Sequence, residues 1–164
     1  MVVMKPVNIV KLVVSCAAPF LVGLMGSLFM TADTLGNWYA NLHKPSFNPP
    51  NWIFGPVWTT LYILMGISAF LVWRKGLENK LVRVALVCFI VQLFLNAIWT
   101  PLFFGLHSPL LGLIDIILLL SAIDLTTILF LRISKPAALL LVPYVLWVLF
   151  ATILNASIDR KSVV

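Results

Sequence analysis

Residues 38–73 read WYANLHKPSFNPPNWIFGPVWTTLYILMGISAFLVW. A loop broken by Pro45, Pro49 and Pro50 leads directly into an apolar run, on which Trp58 and Tyr62 stand one helical turn apart. Tryptophan favours membrane interfaces and ligand pockets, where its ring packs while its N–H finds a partner. Here tryptophan also sits at depths where lipid contact alone would favour leucine. The stretch therefore points to a transmembrane helix that walls a pocket for a flat aromatic ligand.

Composition agrees with a membrane setting. Of the 164 residues, 62% are hydrophobic and only 10% charged, whereas a soluble domain carries about 25% charged residues. The mean hydropathy is +1.11. The net charge of +6 does not indicate nucleic acid, because the basic residues lie between apolar runs and form no patch that would follow a groove. Cys16 and Cys88 fall inside apolar runs, with no CxxC and no Cys/His cluster, and read as buried small hydrophobes; no metal site is expected. The N-terminal run around Ala17-Ala18-Pro19 faintly resembles a signal peptide, but it continues through Met30 and is read as an uncleaved first span.

Five apolar segments emerge, approximately 7–30, 52–73, 81–104, 110–131 and 136–158, each near the ~20 residues that one bilayer crossing needs. The expected fold is all-α: a single integral membrane domain over 1–164, a bundle of five transmembrane helices. Short connections make consecutive helices antiparallel, and the long segment 31–51 between helices 1 and 2 is long enough to form a lid. Lys5, Lys11, Arg74, Lys75, Lys80, Arg83, Arg132 and Lys135 lie on the N-terminal side, against only Lys44, Arg160 and Lys161 opposite. The positive-inside rule then puts the N-terminus in the cytoplasm and the long loop outside.

Polar groups inside spans need partners. Gln92, Asn96 and Trp99 share one helical face; Gln92 reads as interhelical glue, Asn96 and Trp99 as glue or as pocket wall. Asp115 and Asp124 point to opposite faces of the fourth span and cannot form one carboxylate pair. Each is a candidate proton site or counter-charge, and the favoured reading is a protonated or hydrogen-bonded acid that ties helices together. Pro143 interrupts the fifth span, where Tyr144, Trp147, Ala151 and Leu154 form an aromatic stripe with a small residue that leaves room for a large ring. His43 and His107 have no companions at metal-ligand spacing, and no nucleophile–base pair or phosphate loop supports ordinary hydrolytic or phosphoryl chemistry.

WYANLHKPSFNPPNWIFGPVWTTLYILMG, QLFLNAIWTPLFFG and PYVLWVLFATILN, in this order, resemble the tryptophan-rich sensory protein family, which includes the mitochondrial translocator protein or peripheral benzodiazepine receptor. The resemblance extends from about Gly23 to Asn155. It implies a homodimer of five-helix bundles in the lipid bilayer, with a pocket beneath the loop that takes protoporphyrin IX, related tetrapyrroles and synthetic aromatic ligands. No cofactor is required. Matched position by position, the implied ligand-binding residues are Phe54, Gly55, Val57, Trp58, Tyr62, Asn96, Trp99, Leu111, Asp115, Trp147, Ala151 and Leu154, with Ser27 and Met30 on the first helix. Trp58 and Trp147 match tryptophans implicated in light-driven porphyrin degradation, the one enzyme-like activity expected.

The chain also departs from the animal members. ATILN is followed by Ala156, where they carry a tyrosine, so steroid handling is not supported. Leu111 stands where they have tryptophan. The third span lacks a small-xxx-small pair, leaving Gly23 and Ser27 as the alternative close-packing patch for a dimer. The expectation is a porphyrin-binding receptor or regulator in a bacterial cell membrane; the alternatives are a porphyrin transporter and a light- and oxygen-dependent porphyrin-degrading protein.

Overall fold

The computed structural model describes residues 6–162, with side chains through Ile158. Lys5 thus lies outside the described residues, and the side chains of Arg160 and Lys161 are likewise not described. Five helices are long and apolar enough to cross a membrane: α1 (Pro6–Ser27), α2 (Asn51–Trp73), α3 (Lys80–Thr100), α4 (Pro109–Leu131) and α5 (Lys135–Ser162). Packing runs from α1 to α2, α5, α4, α3 and back to α1, a closed ring. The chain is an all-α bundle of five transmembrane helices.

Local chemistry sets the helix boundaries. Asn79 caps α3 by accepting from the Leu81 N–H (2.9 Å), and Ser108 caps α4 by accepting from that of Leu111 (3.2 Å), with Pro109 at the first position. α1 ends at Ser27, short of the expected Met30, because Leu28, Phe29 and Met30 bond back three residues and tighten the last turn. α3 passes at Pro101, which has no N–H, into a π-helical turn over Pro101–Gly105. Pro143 does not interrupt α5, which runs continuously through it. The segment expected as an open loop contains a second π-helical turn, Thr34–Tyr39.

The two halves of the bundle differ. Away from the long loop, Met65, Val72, Val82, Ala85, Phe130 and Ala137 are fully buried, and Phe89 stacks on Phe130 at 5.9 Å. The helices meet closely there: a Cβ on Gly66 would lie 2.6 Å from the Cys16 Cα, and the Ser68 hydroxyl donates to the Ala137 carbonyl (2.7 Å). A buried chain closes this floor, in which the Asn96 amide donates to the Tyr144 hydroxyl (2.9 Å), which donates to the Gln92 carbonyl oxygen (2.8 Å). Gln92 is therefore interhelical glue. On the loop side the ring opens into a cavity.

Candidate functional site

The cavity has a volume of about 510 Å³ and is lined by all five helices, the turn after α3 and the Thr34–Tyr39 turn. Its aromatic wall follows from helical spacing: Phe54, Trp58 and Tyr62 repeat every four residues on α2, and Trp147, Ala151 and Leu154 line α5. Trp58 meets Tyr62 at 5.4 Å and Tyr144 at 6.2 Å, and Phe54 meets Trp147 edge-on at 5.8 Å. On the third wall Trp99 stacks on Phe103 (5.0 Å, 16°). A Cβ at Gly23 would strike the Tyr62 ring, so this glycine lets the ring lie against α1. Gly23 thus serves packing within one protomer, while Ser27 is exposed.

The exposed members of the lining are Phe20, Leu24, Ser27 and Met30 from α1 and its last turn, with Asn51, Gly55 and Thr59 from α2. The cavity therefore opens between α1 and α2. The Thr34–Tyr39 turn covers its loop end. Trp38 stacks on His107 (4.7 Å, 23°) and meets Phe103 at 5.4 Å; buried Tyr39 meets Phe104 at 5.5 Å. Lys44 donates to the Tyr39 carbonyl (2.5 Å) and lies 4.3 Å from the centre of the Tyr39 ring. Burial raises the Tyr39 phenol above its usual range, against a lowering hydrogen bond to Asn48, and burial lowers the Lys44 ammonium. His43 is exposed.

Two buried polar atoms of lining residues have no partner: the Trp99 indole N–H and the Asn155 carbonyl oxygen. The Asn155 amide nitrogen is engaged, donating to the Pro109 carbonyl (2.9 Å). The walls are mostly aromatic and aliphatic, with Ser27, Asn51, Thr59, Asn96 and Thr100 among the lining residues, the pattern of a pocket that orients an apolar ligand by few polar contacts. Among the described residues no three His, Cys, Asp or Glu side chains come together as metal ligands would.

Sequence comparison matches residues 15–161 to the TspO/MBR family. The chain belongs to the TspO/MBR family. It is 50% identical over 151 residues to the tryptophan-rich protein TspO of Archaeoglobus fulgidus, covering 92% of this chain and 96% of that one. It is also 50% identical over 137 residues to the protein of the same name from Chlorobaculum tepidum, covering 84% and 86%. The human translocator protein is 43% identical over 147 residues, covering 88% and 86%. With five membrane-length apolar helices, this TspO/MBR protein is an integral, multi-pass membrane protein.

Among the residues singled out from sequence, Ser27, Met30, Phe54, Gly55, Trp58, Tyr62, Asn96, Trp99, Trp147, Ala151 and Leu154 line the cavity of this TspO/MBR protein. Val57, Leu111 and Asp115 do not. Val57 lies about 100° round α2 from Trp58, in a shallow groove on the outer side of α2 and α5. Leu111 is half-exposed on the outer face of α4, and Asp115 is buried with one carboxyl oxygen unpartnered. α4 reaches the cavity through Ile116 and Leu119 instead. Tyr39, Thr100, Phe103, Phe104 and Asn155 also line it. Phe103 was within reach of sequence reasoning, since it continues the Asn96–Trp99 face by one further turn.

Proposed function

We propose that this TspO/MBR protein is a membrane receptor or regulator that binds porphyrins, protoporphyrin IX and related tetrapyrroles in the cavity beneath its loop. The observation that carries the proposal is a wall with Trp58, Trp99 and Trp147 around about 510 Å³ of space. A flat macrocycle, apolar on both faces, stacks against such rings and leaves its anionic edge towards the polar loop end. The opening between α1 and α2 admits an apolar ligand from the bilayer. Ser27, Met30, Phe54, Gly55, Tyr62, Asn96, Ala151 and Leu154 complete the contact surface. The membrane is a bacterial cell membrane with the N-terminus cytoplasmic, and the working unit is a homodimer.

A second reading, light- and oxygen-dependent porphyrin loss, is favoured by one feature: Trp58 and Trp147 both line the same cavity, where either indole is a first neighbour of an excited ligand. Titration with protoporphyrin IX in detergent tests both, following tryptophan quenching in the dark and porphyrin absorbance under light. The expected result is saturable quenching, weakened in Trp58→Phe and Trp147→Phe. Porphyrin loss that both variants abolish adds the photochemistry; absence of saturable quenching refutes the receptor. Porphyrin flux in proteoliposomes would make it a transporter.

A further inference from the structure

The Thr34–Tyr39 turn is fastened at its two ends by different chemistry. At its start the Thr34 N–H donates to the Thr31 hydroxyl (3.1 Å), and the Asn37 amide donates to an Asp33 carboxyl oxygen. At its other end, helical geometry leaves carbonyls without amide partners. The chain beyond supplies few donors, since Pro45, Pro49 and Pro50 have no N–H. Lys44 fills that place. Its ammonium donates to the carbonyls of Tyr39 (2.5 Å) and Ala40 (3.3 Å) and lies 4.3 Å from the centre of the Tyr39 ring. A cation is favoured both at a helix C-terminus and over an aromatic face. These partners are carbonyls and a ring, with no carboxylate among them, so the ammonium is committed to the turn.

Tyr39 is the residue through which this fastening reaches the cavity. It is buried, it lines the cavity, and it meets Phe103 at 6.4 Å and Phe104 at 5.5 Å. Its hydroxyl donates to the Asn48 side-chain oxygen (3.4 Å). Lys44 thus holds the backbone and ring face of Tyr39 while Asn48 holds its far end. Lys44 is not itself part of the lining. It stands shortly before Asn51, where α2 begins, so it ties the cover to the segment that enters the aromatic wall. We propose that Lys44 is the latch of the cover, a positioning residue that keeps Tyr39 and the end of the turn over the cavity without touching the ligand. The proposal deepens the binding reading above and rests on it for the ligand, while the latch itself can be read without one.

The test uses the full chain in detergent with two readouts. Hydrogen exchange of peptides covering residues 34–42, followed by mass spectrometry without ligand, reads the cover directly. Stopped-flow recovery of tryptophan fluorescence after dilution reads the release of protoporphyrin IX and of its dimethyl ester, which has no free carboxylate. Lys44→Met keeps an apolar stem and loses the N–H donors; exchange in that segment and release of both porphyrins should rise about tenfold. Unchanged exchange within α2 shows that the bundle is still folded. Lys44→Arg, which can donate to both carbonyls and stack on the ring, should stay within about threefold of wild type. Exchange over 34–42 that does not respond to Lys44→Met overturns the latch. Faster exchange with unchanged release overturns its role at the cavity. Faster release of the acid alone makes Lys44 a direct partner of the ligand's carboxylate, which also contradicts the proposal. No saturable quenching in wild type refutes the porphyrin reading instead, and the exchange result then decides the latch.

Discussion

Tyr144 joins two helices with one hydroxyl, accepting from Asn96 and donating to Gln92. In Tyr144→Phe both amides lose that buried partner, so thermal unfolding in detergent should show a loss of about 1–3 kcal/mol. Gly66 and Gly55 make a paired test of packing. A methyl at Gly66 would meet the Cys16 backbone, while one at Gly55 meets nothing within 4 Å. Gly66→Ala should therefore lower stability by about 1–3 kcal/mol, and Gly55→Ala, free of any clash, should hold or slightly raise the Tm; an equal loss in both would contradict the observed α1–α2 approach. At this scale the sequence was legible where helical spacing fixed a face, as for Trp58, Tyr62 and Trp147. It was less so where a one-residue step rotates a side chain by about 100°, which separates Val57 from Trp58 and Asp115 from Ile116.

All five helices were legible because each apolar run has the length of a bilayer crossing, and capping by Asn79 and Ser108 follows rules local to the chain. The lid was not. Its π-helical turn is held by Trp38 and Tyr39 against Phe103, Phe104 and His107, contacts that join distant parts of the chain and leave no periodic signal. Those rings hold the cover over the cavity, and aromatic pairs contribute about 0.5–1.5 kcal/mol each. Trp38→Ala should accordingly speed protoporphyrin release about tenfold, read by stopped-flow recovery of tryptophan fluorescence after dilution. An unchanged release rate would mean that the turn does not gate the site.

The molecule as a whole divides its work by depth. The half away from the loop is dense, with Met65, Val72, Val82 and Phe130 fully buried, and the loop-side half holds the space. This division leaves the packing that holds the chain folded apart from the walls of the cavity. Tryptophans in the apolar runs betrayed a pocket in the sequence, but its closed α1–α2–α5–α4–α3 ring and its opening between α1 and α2 depend on tertiary packing that no single run encodes. Ala151 is the residue at which the central claim is most exposed, since its small side chain lies on the cavity wall beside Trp147. The decisive measurement is protoporphyrin IX titration of Ala151→Phe beside wild type, with the thermal unfolding of both recorded. Saturable quenching in wild type that is lost in an equally stable Ala151→Phe is the predicted result; a filled cavity that binds porphyrin as well as the open one would contradict it.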